Sequence, residues 1–376
     1  MTHIVQIVPY MHNGSGVAGV AWNLDREFRE LGVSTERFTH FDTNPRSLRL
    51  TVRGRVTQAL AVTWDMLWFF TVGTRKARDF LIQRPDAISI CHNNIMTGDI
   101  YVNHGIVAAA MQARGWGVWR VLRNPTHIFT TLRDSIRYRS HTHRAIVVLS
   151  ESEAKTMRRV YGRVKPRVAI IPNGVDLDRF HPPTAEERLR AREALRLDDE
   201  DRVALFIGHE FRRKGLEHAI NALTFAPTVL LLVVGGQTDT LAAARAQAET
   251  SGVADRVLFV GVRNDLEMMF AASDMFVLPS AYEANALVIL EALASGLPVV
   301  VTPVGYAAEL VADGINGFVI DADPRQIGDR FEELAAADPV PWRSRARASV
   351  EHLSWRAIAE KYLALVHEIE QERGIS

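Results

Sequence analysis

With 376 residues, 47% of them apolar and 23% charged, the chain is too apolar for intrinsic disorder and too long for one compact core, so two domains of roughly 170 to 200 residues each are expected. A single cysteine, Cys91, excludes a disulfide framework and a multi-thiolate metal site. The net charge of zero hides an asymmetry: residues 1–150 hold 18 Lys+Arg against 10 Asp+Glu, and residues 151–376 hold 26 against 34.

The opening "MTHIVQIVPYMHNG" has neither a basic n-region nor a long apolar h-region, so no secretory signal and a cytoplasmic chain are expected. Its apolar run, Ile4 to Tyr10, reads as a first strand, followed by Gly14-x-Gly16-x-x-Gly19, the spacing of a dinucleotide-binding turn. In such a turn the first glycine follows the strand almost at once, whereas here Met11, His12 and Asn13 intervene. Asp42, about 23 residues past Gly19, could imitate the ribose-binding acid, so a dinucleotide site stays open beside a phosphate-approaching loop and a purely structural turn.

Strand-like runs then alternate with helical patterns: a helix through "GVAWNLDREFREL", then "STERFTHF", "AISICHN", "DIYVNHG", "AIVVLS" and "RVAIIPN". "ALAVTWDMLWFFTVG" is short for a membrane span and carries Asp65 in its middle, which fits a buried helix. The segment 114–144, "RGWGVWRVLRNPTHIFTTLRDSIRYRSHTHR", holds seven Arg against Asp134 alone, interleaved with Trp116, Trp119, Phe129 and Tyr138. It suits either an anionic membrane or acceptor, or a solvated basic helix with its aromatics in the core.

After "PNGVDLDRFHPP" a second alternating series runs "RVALFIGH", "TVLLLVVGG", "RVLFVG", "MFVLPS", "LPVVVTPV" and "GFVID". The expected fold is α/β, two doubly wound Rossmann-like domains joined near residues 175–182, with facing strand ends forming a central cleft. The domains are placed at 1–178 and 179–354. The last helix, "SWRAIAEKYLALVHEIEQ", lies in 355–376 and has no strand after it.

Two stretches carry the chemistry. In "LPSAYEANALVILEALASGLPVVV" a strand ends at Pro279-Ser280 and Ala286 to Ser295 reads as a helix stopped by Gly296. Glu291 shares a helix face with Leu287, Leu290 and Ala294, where a lone carboxylate would cost roughly 2 to 7 kcal/mol, so it needs donors such as ribose hydroxyls. Glu283 lies in the loop at the strand's C-terminal end. Between the two acids, the N–H groups of Asn285, Ala286 and Leu287 open the helix and can hold an anion. In "FIGHEFRRKGLEHAI", Arg212, Arg213 and Lys214 follow a second strand end, ready to neutralise a diphosphate. Two separated carboxylates flanking an anion-holding turn suit a nucleotide sugar.

At these residues the sequence resembles the retaining glycosyltransferases of family 4, which have the GT-B architecture. The likeness covers nearly the whole chain: E-x7-E appears as Glu283 to Glu291, followed by "EALASGLPVV" and "GYAAELVADGINGFVI", while "IVVLSESEAKTMRRVYG" and "VAIIPNGVDLDRF" resemble the interdomain passage. The resemblance implies that Lys214 binds the donor diphosphate, Glu291 the ribose and Glu283 the transferred sugar. It implies that the N–H groups of Asn285 to Leu287 meet phosphate or sugar, that Gly16 approaches the donor phosphate, and that Val262 holds the base through its backbone. It sets His104, in "DIYVNHGI", beside the reacting sugar, and has the last helix crossing back to the first domain.

Three departures stand out. Gly208-His209 replaces the usual Gly-Arg, so the second cation is expected from Arg212 or Arg213. "EANA" (Glu283 to Ala286) replaces "EGFG", and Glu151 follows Ser150. The implied activity is retaining transfer of a hexose from a nucleotide sugar, UDP-glucose first and GDP-mannose next, to a glycan, lipid or small-molecule acceptor. No cofactor or metal is expected, since the Asp176-Leu-Asp178 and Asp321-Ala-Asp323 pairs read as turn acids, and no nucleic-acid partner is expected. An NAD-dependent oxidoreductase, a GT-B epimerase or phosphorylase, and a non-catalytic nucleotide-sugar-binding scaffold at a membrane stay open beside it.

Overall fold

The structure, a computed structural model, describes residues 2–14, 16–43, 55–93, 95–113 and 125–375. Its contacts divide the chain into unit 1, Met1–Asn173 with Trp355–Ser376, and unit 2, Gly174–Ser354.

Unit 1 is built on six parallel strands: β1 (His3–Ile7), β2 (Ser34–Phe38), β3 (Ile88–His92), β4 (Ile100–Val102), β5 (Ala145–Val148) and β6 (Arg167–Ile170), in the order β2-β1-β3-β4-β5-β6. The inner strands β3, β4 and β5 are buried at every residue, whereas edge strand β6 buries none, its two end residues exposed and its two middle ones half-buried. Helices covering both faces of a parallel sheet impose that pattern, which is why the inner strands read as continuous apolar runs. The strand order reverses between β1 and β3, as in flavodoxin-like sheets, and differs from the dinucleotide-binding order.

Eight residues separate the end of β1 from the helix Gly16–Glu30. Gly19 lies against the loop before it: a Cβ there would sit 1.7 Å from the Gly14 carbonyl oxygen. Gly16 has φ +73° and open space around it. The glycine spacing therefore folds a long loop back onto its helix rather than making the tight first turn of a dinucleotide site. Asp42 accepts from the Thr39 N–H at 2.6 Å and the Thr39 hydroxyl at 2.9 Å, so its carboxylate caps a local turn.

The apolar segment around Asp65 is helix Arg55–Trp68 continued by the π-turn Phe69–Gly73. Asp65, Phe69 and Phe70 are buried while Trp64 is exposed, so the helix is buried on one face rather than all round. Helix Trp355–Arg373 closes unit 1 by burying Trp355, Ile358, Tyr362, Leu365, Val366 and Ile369 and packing on helix Gly16–Glu30. Arg373 ties its end down by donating to the Ala87 carbonyl at 2.7 Å and pairing with Asp99 at 3.3 Å.

Unit 2 holds β7 (Arg202–Ile207), β8 (Val229–Val234), β9 (Val257–Gly261), β10 (Met275–Leu278), β11 (Val299–Val301) and β12 (Gly317–Val319). They are parallel in the order β12-β11-β10-β7-β8-β9, the doubly wound order of dinucleotide-binding folds, with its reversal between β7 and β10. Unit 2 begins at Gly174, five residues before the expected boundary, because that passage is bonded into it. The Val175 N–H donates to Leu353 O at 2.9 Å, and the Arg347 guanidinium donates to the carbonyls of Leu177, Phe180 and Ala294. The Phe180 ring also meets Phe270 edge-on at 5.6 Å.

Candidate functional site

In open α/β sheets ligands gather outside the carboxyl ends of the strands at the point of reversal, and in unit 2 the loops after β7 and β10 meet there. After β7 the chain runs through Gly208 into the short helix Phe211–Lys214, which Gly215 ends with φ +75°. A Cβ on Gly208 would lie 2.2 Å from Lys214 Cδ, so only glycine lets the lysine stem cross the strand end. After β10 the chain runs through Ser280 to Glu283. Lys214 Nζ donates to Glu283 Oε1 at 2.9 Å, Arg213 Nη1 lies 2.9 Å from the same oxygen, and Ser280 Oγ donates to it at 3.2 Å. Two cations share one carboxylate, with side chains only 14%, 20% and 11% exposed for Lys214, Arg213 and Glu283. The two cations are thus held in a setting where they are weakly screened and suited to an anion.

Arg213 also donates to Tyr282 O at 2.7 Å and pairs with Glu210. Arg212 is exposed and takes no part in this cluster, so of the two expected cations only Arg213 is brought to Lys214. The reason is local: on a single helical turn, successive side chains point about 100° apart.

Helix Leu287–Ala294 follows, starting one residue later than expected. Ala286 stands at its N-cap and supplies no side-chain bond. Its first N–H groups therefore offer donors to an outside acceptor. The Asn285 side-chain nitrogen is buried without a partner among the described residues, an arrangement that a bound acceptor relieves.

Glu291, one turn further, accepts no side-chain hydrogen bond among the described residues. Burial pushes its carboxyl up to about 7, with Arg179 pulling it down, Glu267 pushing it up and Lys214 pulling it down. Sequence reasoning missed Arg179, which pairs with Glu267 and stacks over Phe180 at 4.9 Å. It sits in "PNGVDLDRF", read from the sequence only as a passage between domains. Beyond Glu267, Val262 is 63% exposed just after β9 and lines an open depression with Arg263, Asn264, Asp265 and Glu267.

One aspartate of each pair serves a turn or cap: Asp176 Oδ1 accepts from the Arg179 N–H at 3.0 Å, and Asp323 caps helix Pro324–Ala336 through the Gln326 N–H at 2.9 Å. Among the described residues no group of three or more His, Cys, Asp or Glu side chains is placed to hold a metal ion.

Unit 1 carries its own polar constellation at the strand ends. His104, two residues past β4, has Nε2 3.0 Å from His92 Nδ1, and the two rings lie edge to edge, 21° from parallel with centroids 5.3 Å apart. Burial pulls His104 down to about 4; burial first, and then the neighbouring ring, pull His92 well below the usual imidazole value, so both rings are neutral at pH 7. The residue before His104 is fixed on three sides. Asn103 N–H donates to Val147 O at 2.8 Å, its amide nitrogen donates to Glu153 Oε1 at 2.9 Å, and its amide oxygen accepts from Tyr138 OH at 3.0 Å. Ser150, followed by the unexpected Glu151, caps helix Glu151–Tyr161 by accepting from the Glu153 N–H. Gly16 lies exposed at the start of its helix.

Of the basic aromatic segment, residues 114–124, with Trp116 and Trp119, lie outside the described residues. Helix Pro125–Arg139 turns Tyr138 and the Arg137–Asp134 pair inward and leaves Ile128, Leu132 and Ile136, at four-residue spacing, exposed on one face. Among the described residues no helix is long and apolar enough to cross a membrane.

Residues 14–179 match the family model "Glycosyltransferase Family 4", and residues 187–349 match "Glycosyl transferases group 1". The chain belongs to glycosyltransferase family 4. Two curated relatives of this family 4 chain are D-inositol 3-phosphate glycosyltransferases. That of Xylanimonas cellulosilytica is 34% identical over 241 residues, 61% of this chain and 58% of the relative. That of Mycolicibacterium smegmatis is 31% identical over 232 residues, 58% and 51% of the two chains. The family 4 chain spans about half the length of the curated relatives it matches. Among solved structures it resembles the sucrose-phosphate synthase of Thermosynechococcus elongatus, with TM-score 0.76, 19% identity, and 99% and 100% of the two chains covered. It also resembles WaaG, a glycosyltransferase involved in lipopolysaccharide biosynthesis, with TM-score 0.74, 21% identity, and 96% and 99% covered. Anabaena HepE, solved with UDP and glucose, follows with TM-score 0.69, 19% identity, and 98% and 100% covered. These likenesses establish the GT-B fold.

The raised Glu291 carboxyl gives a pH prediction. Between its ordinary 4.5 and about 7 the folded protein holds a proton that the unfolded chain has lost, so this group's contribution to stability falls as pH rises through that window. Glu291→Gln removes the titration and should gain on wild type between pH 5 and 8, by at most about 3 kcal/mol, in urea unfolding. A difference that is flat or falls with pH would mean that the carboxylate is solvated or paired.

Proposed function

We propose that this family 4 protein is a retaining hexosyltransferase that moves a hexose from a nucleotide sugar to an acceptor hydroxyl, with a UDP-hexose, UDP-glucose first, as donor. The observation that carries the proposal is the Lys214–Glu283–Arg213 cluster at the strand reversal of unit 2, beside a helix start without a side-chain cap and the unpartnered Asn285 amide. Lys214, Arg213 and the N–H groups of Asn285, Ala286 and Leu287 take the diphosphate. Arrival of that anion releases Glu283 from its cations toward the sugar. Glu291 takes the ribose hydroxyls, which supply the donors its carboxylate lacks, and the Val262 backbone borders the base. Gly16 approaches phosphate, and His104 hydrogen-bonds the transferred sugar. UDP-glucose is placed first because "EFRRKGLEHAI" and "EANALVILEAL" most resemble the family's users of that donor.

In the proposed reaction the anomeric carbon–phosphate oxygen bond breaks and the bond to the acceptor oxygen forms on the same face. The acceptor proton passes to the departing phosphate oxygen. Lys214 and Arg213 stabilise the charge that develops on the diphosphate, in the place that a metal ion fills in other transferases, so activity in EDTA is expected. Acceptors proposed are a cell-envelope glycan, a lipid or a small glycoside. The names of the inositol-phosphate relatives make a small phosphorylated polyol the first to assay. Lys214→Ala and Glu283→Ala should each lower kcat/KM on the order of 100- to 1,000-fold, with product of retained configuration by proton NMR. An inverted product, or variants as active as wild type, would refute the proposal.

The proposed surface partner is an anionic bilayer, met by the exposed Ile128–Leu132–Ile136 stripe with the exposed Arg139 and Arg144 that follow it in the chain. Wild type should sediment with phosphatidylglycerol vesicles in low salt, and Leu132→Asp with Ile136→Asp should abolish it. Retention by the double variant would assign binding to another surface.

A further inference from the structure

On unit 1 three neighbouring strands, β1, β3 and β4, end in one hydrogen-bonded chain running from a backbone carbonyl to the ring of His104. Gln6 Nε2 donates to Ala21 O at 3.0 Å, Gln6 Oε1 lies 3.1 Å from His92 Nε2, and His92 Nδ1 lies 3.0 Å from His104 Nε2. Gln6 and His92 have no exposed surface; His104 is half-buried.

Every polarity in this chain follows from its first member. A carbonyl oxygen only accepts, so the Gln6 amide nitrogen must face Ala21 and the amide oxygen must face His92. That oxygen also only accepts, so His92 carries its proton on Nε2. In a neutral ring Nδ1 is then a bare lone pair, and the proton between the two histidines belongs to His104 Nε2. We infer that Gln6 and His92 are positioning residues that lock His104 in the Nε2–H tautomer, leaving its Nδ1 as an obligate acceptor for a hydroxyl of the bound sugar.

Two features of the fold support the lock. The β1–β3 register sets Gln6 opposite Ile90 and the β3–β4 register sets His92 opposite Val102, so backbone ladders fix the spacing of all three side chains. The Asn103 bonds to Val147, Glu153 and Tyr138 hold the neighbouring residue, which limits rotation of the loop that carries His104. An alternative proton arrangement requires a buried amide flip that sets the Gln6 NH2 against His92 and its oxygen against the Ala21 carbonyl, leaving two acceptors in contact. The consequence for specificity is one-sided: the sugar must donate at this point, so a donor with fluorine in place of that hydroxyl is rejected. Only this last step rests on the proposed transferase function.

The test is a long-range nitrogen–proton NMR correlation on the whole protein labelled with 15N-histidine, with His104 assigned by its absence in His104→Gln. In wild type the Nε2 signal should be of the protonated type and Nδ1 of the bare type; the opposite pattern overturns the inference without any variant or substrate. In Gln6→Leu the two tautomers should mix, and kcat should fall on the order of tenfold with KM for the donor nearly unchanged. His92→Asn, which puts an amide oxygen near the lost Nδ1, should keep the wild-type His104 pattern where His92→Leu does not. An unmixed tautomer in a folded Gln6→Leu protein overturns the role of Gln6. Donors fluorinated at C3, C4 or C6 separate the last step: one should be transferred on the order of 100-fold more slowly than the others. Equal rates would overturn the acceptor role at the sugar while the spectrum still judged the locked tautomer.

Discussion

The interaction on which the proposed chemistry of unit 2 depends is the sharing of the Glu283 carboxylate by Lys214 and Arg213. It joins residues about seventy positions apart, and only the adjacency of β7 and β10 at the strand reversal brings them together. A lysine and an arginine in largely buried positions repel each other strongly unless an anion lies between them. That anion is Glu283, joined by Glu210 on Arg213; in the proposed function an arriving diphosphate takes the role and frees the carboxylate. The absence of a side chain on Gly208 and the uncapped start of helix Leu287–Ala294 are the local conditions for that exchange.

The same edge of unit 2 continues from charge to charge. Glu291, pushed up to about 7 by burial, feels Arg179, which pairs with Glu267, and Glu267 borders the depression beside Val262. A carboxyl poised near neutrality and short of donors is a poor structural element but a good receptor for hydroxyls, which hydrogen-bond its charged form and lower its proton affinity. Unit 1 treats its polar groups differently: Gln6, His92, Asn103 and Glu153 are buried and bonded to one another or to backbone, so they fix geometry rather than hold charge.

The fold was legible because parallel strands buried on both faces leave continuous apolar runs, and all twelve expected strands are present. E-x7-E was legible because both acids lie within one loop and the helix after it. Sequence alone missed what depends on pairing across the sheet. Arg179 went unnoticed within the interdomain passage because its partner Glu267 lies 88 positions away. Arg212 and Arg213 looked equivalent because one turn of helix had not yet assigned their directions. The Gly14-x-Gly16-x-x-Gly19 spacing suggested a dinucleotide turn, but its meaning depends on the length of the loop before it and on strand order, which here is β2-β1-β3.

The most direct test of the central claim, that the Lys214–Arg213–Glu283 cluster is a nucleoside-diphosphate site, is calorimetric titration with UDP, GDP and NADH in EDTA, on wild type and on Lys214→Ala. Saturable binding of UDP ahead of GDP is expected, weakened at least about tenfold by the substitution, roughly 1.4 kcal/mol for one lost charge-assisted contact. Binding of NADH alone, or UDP binding that ignores Lys214, would contradict it.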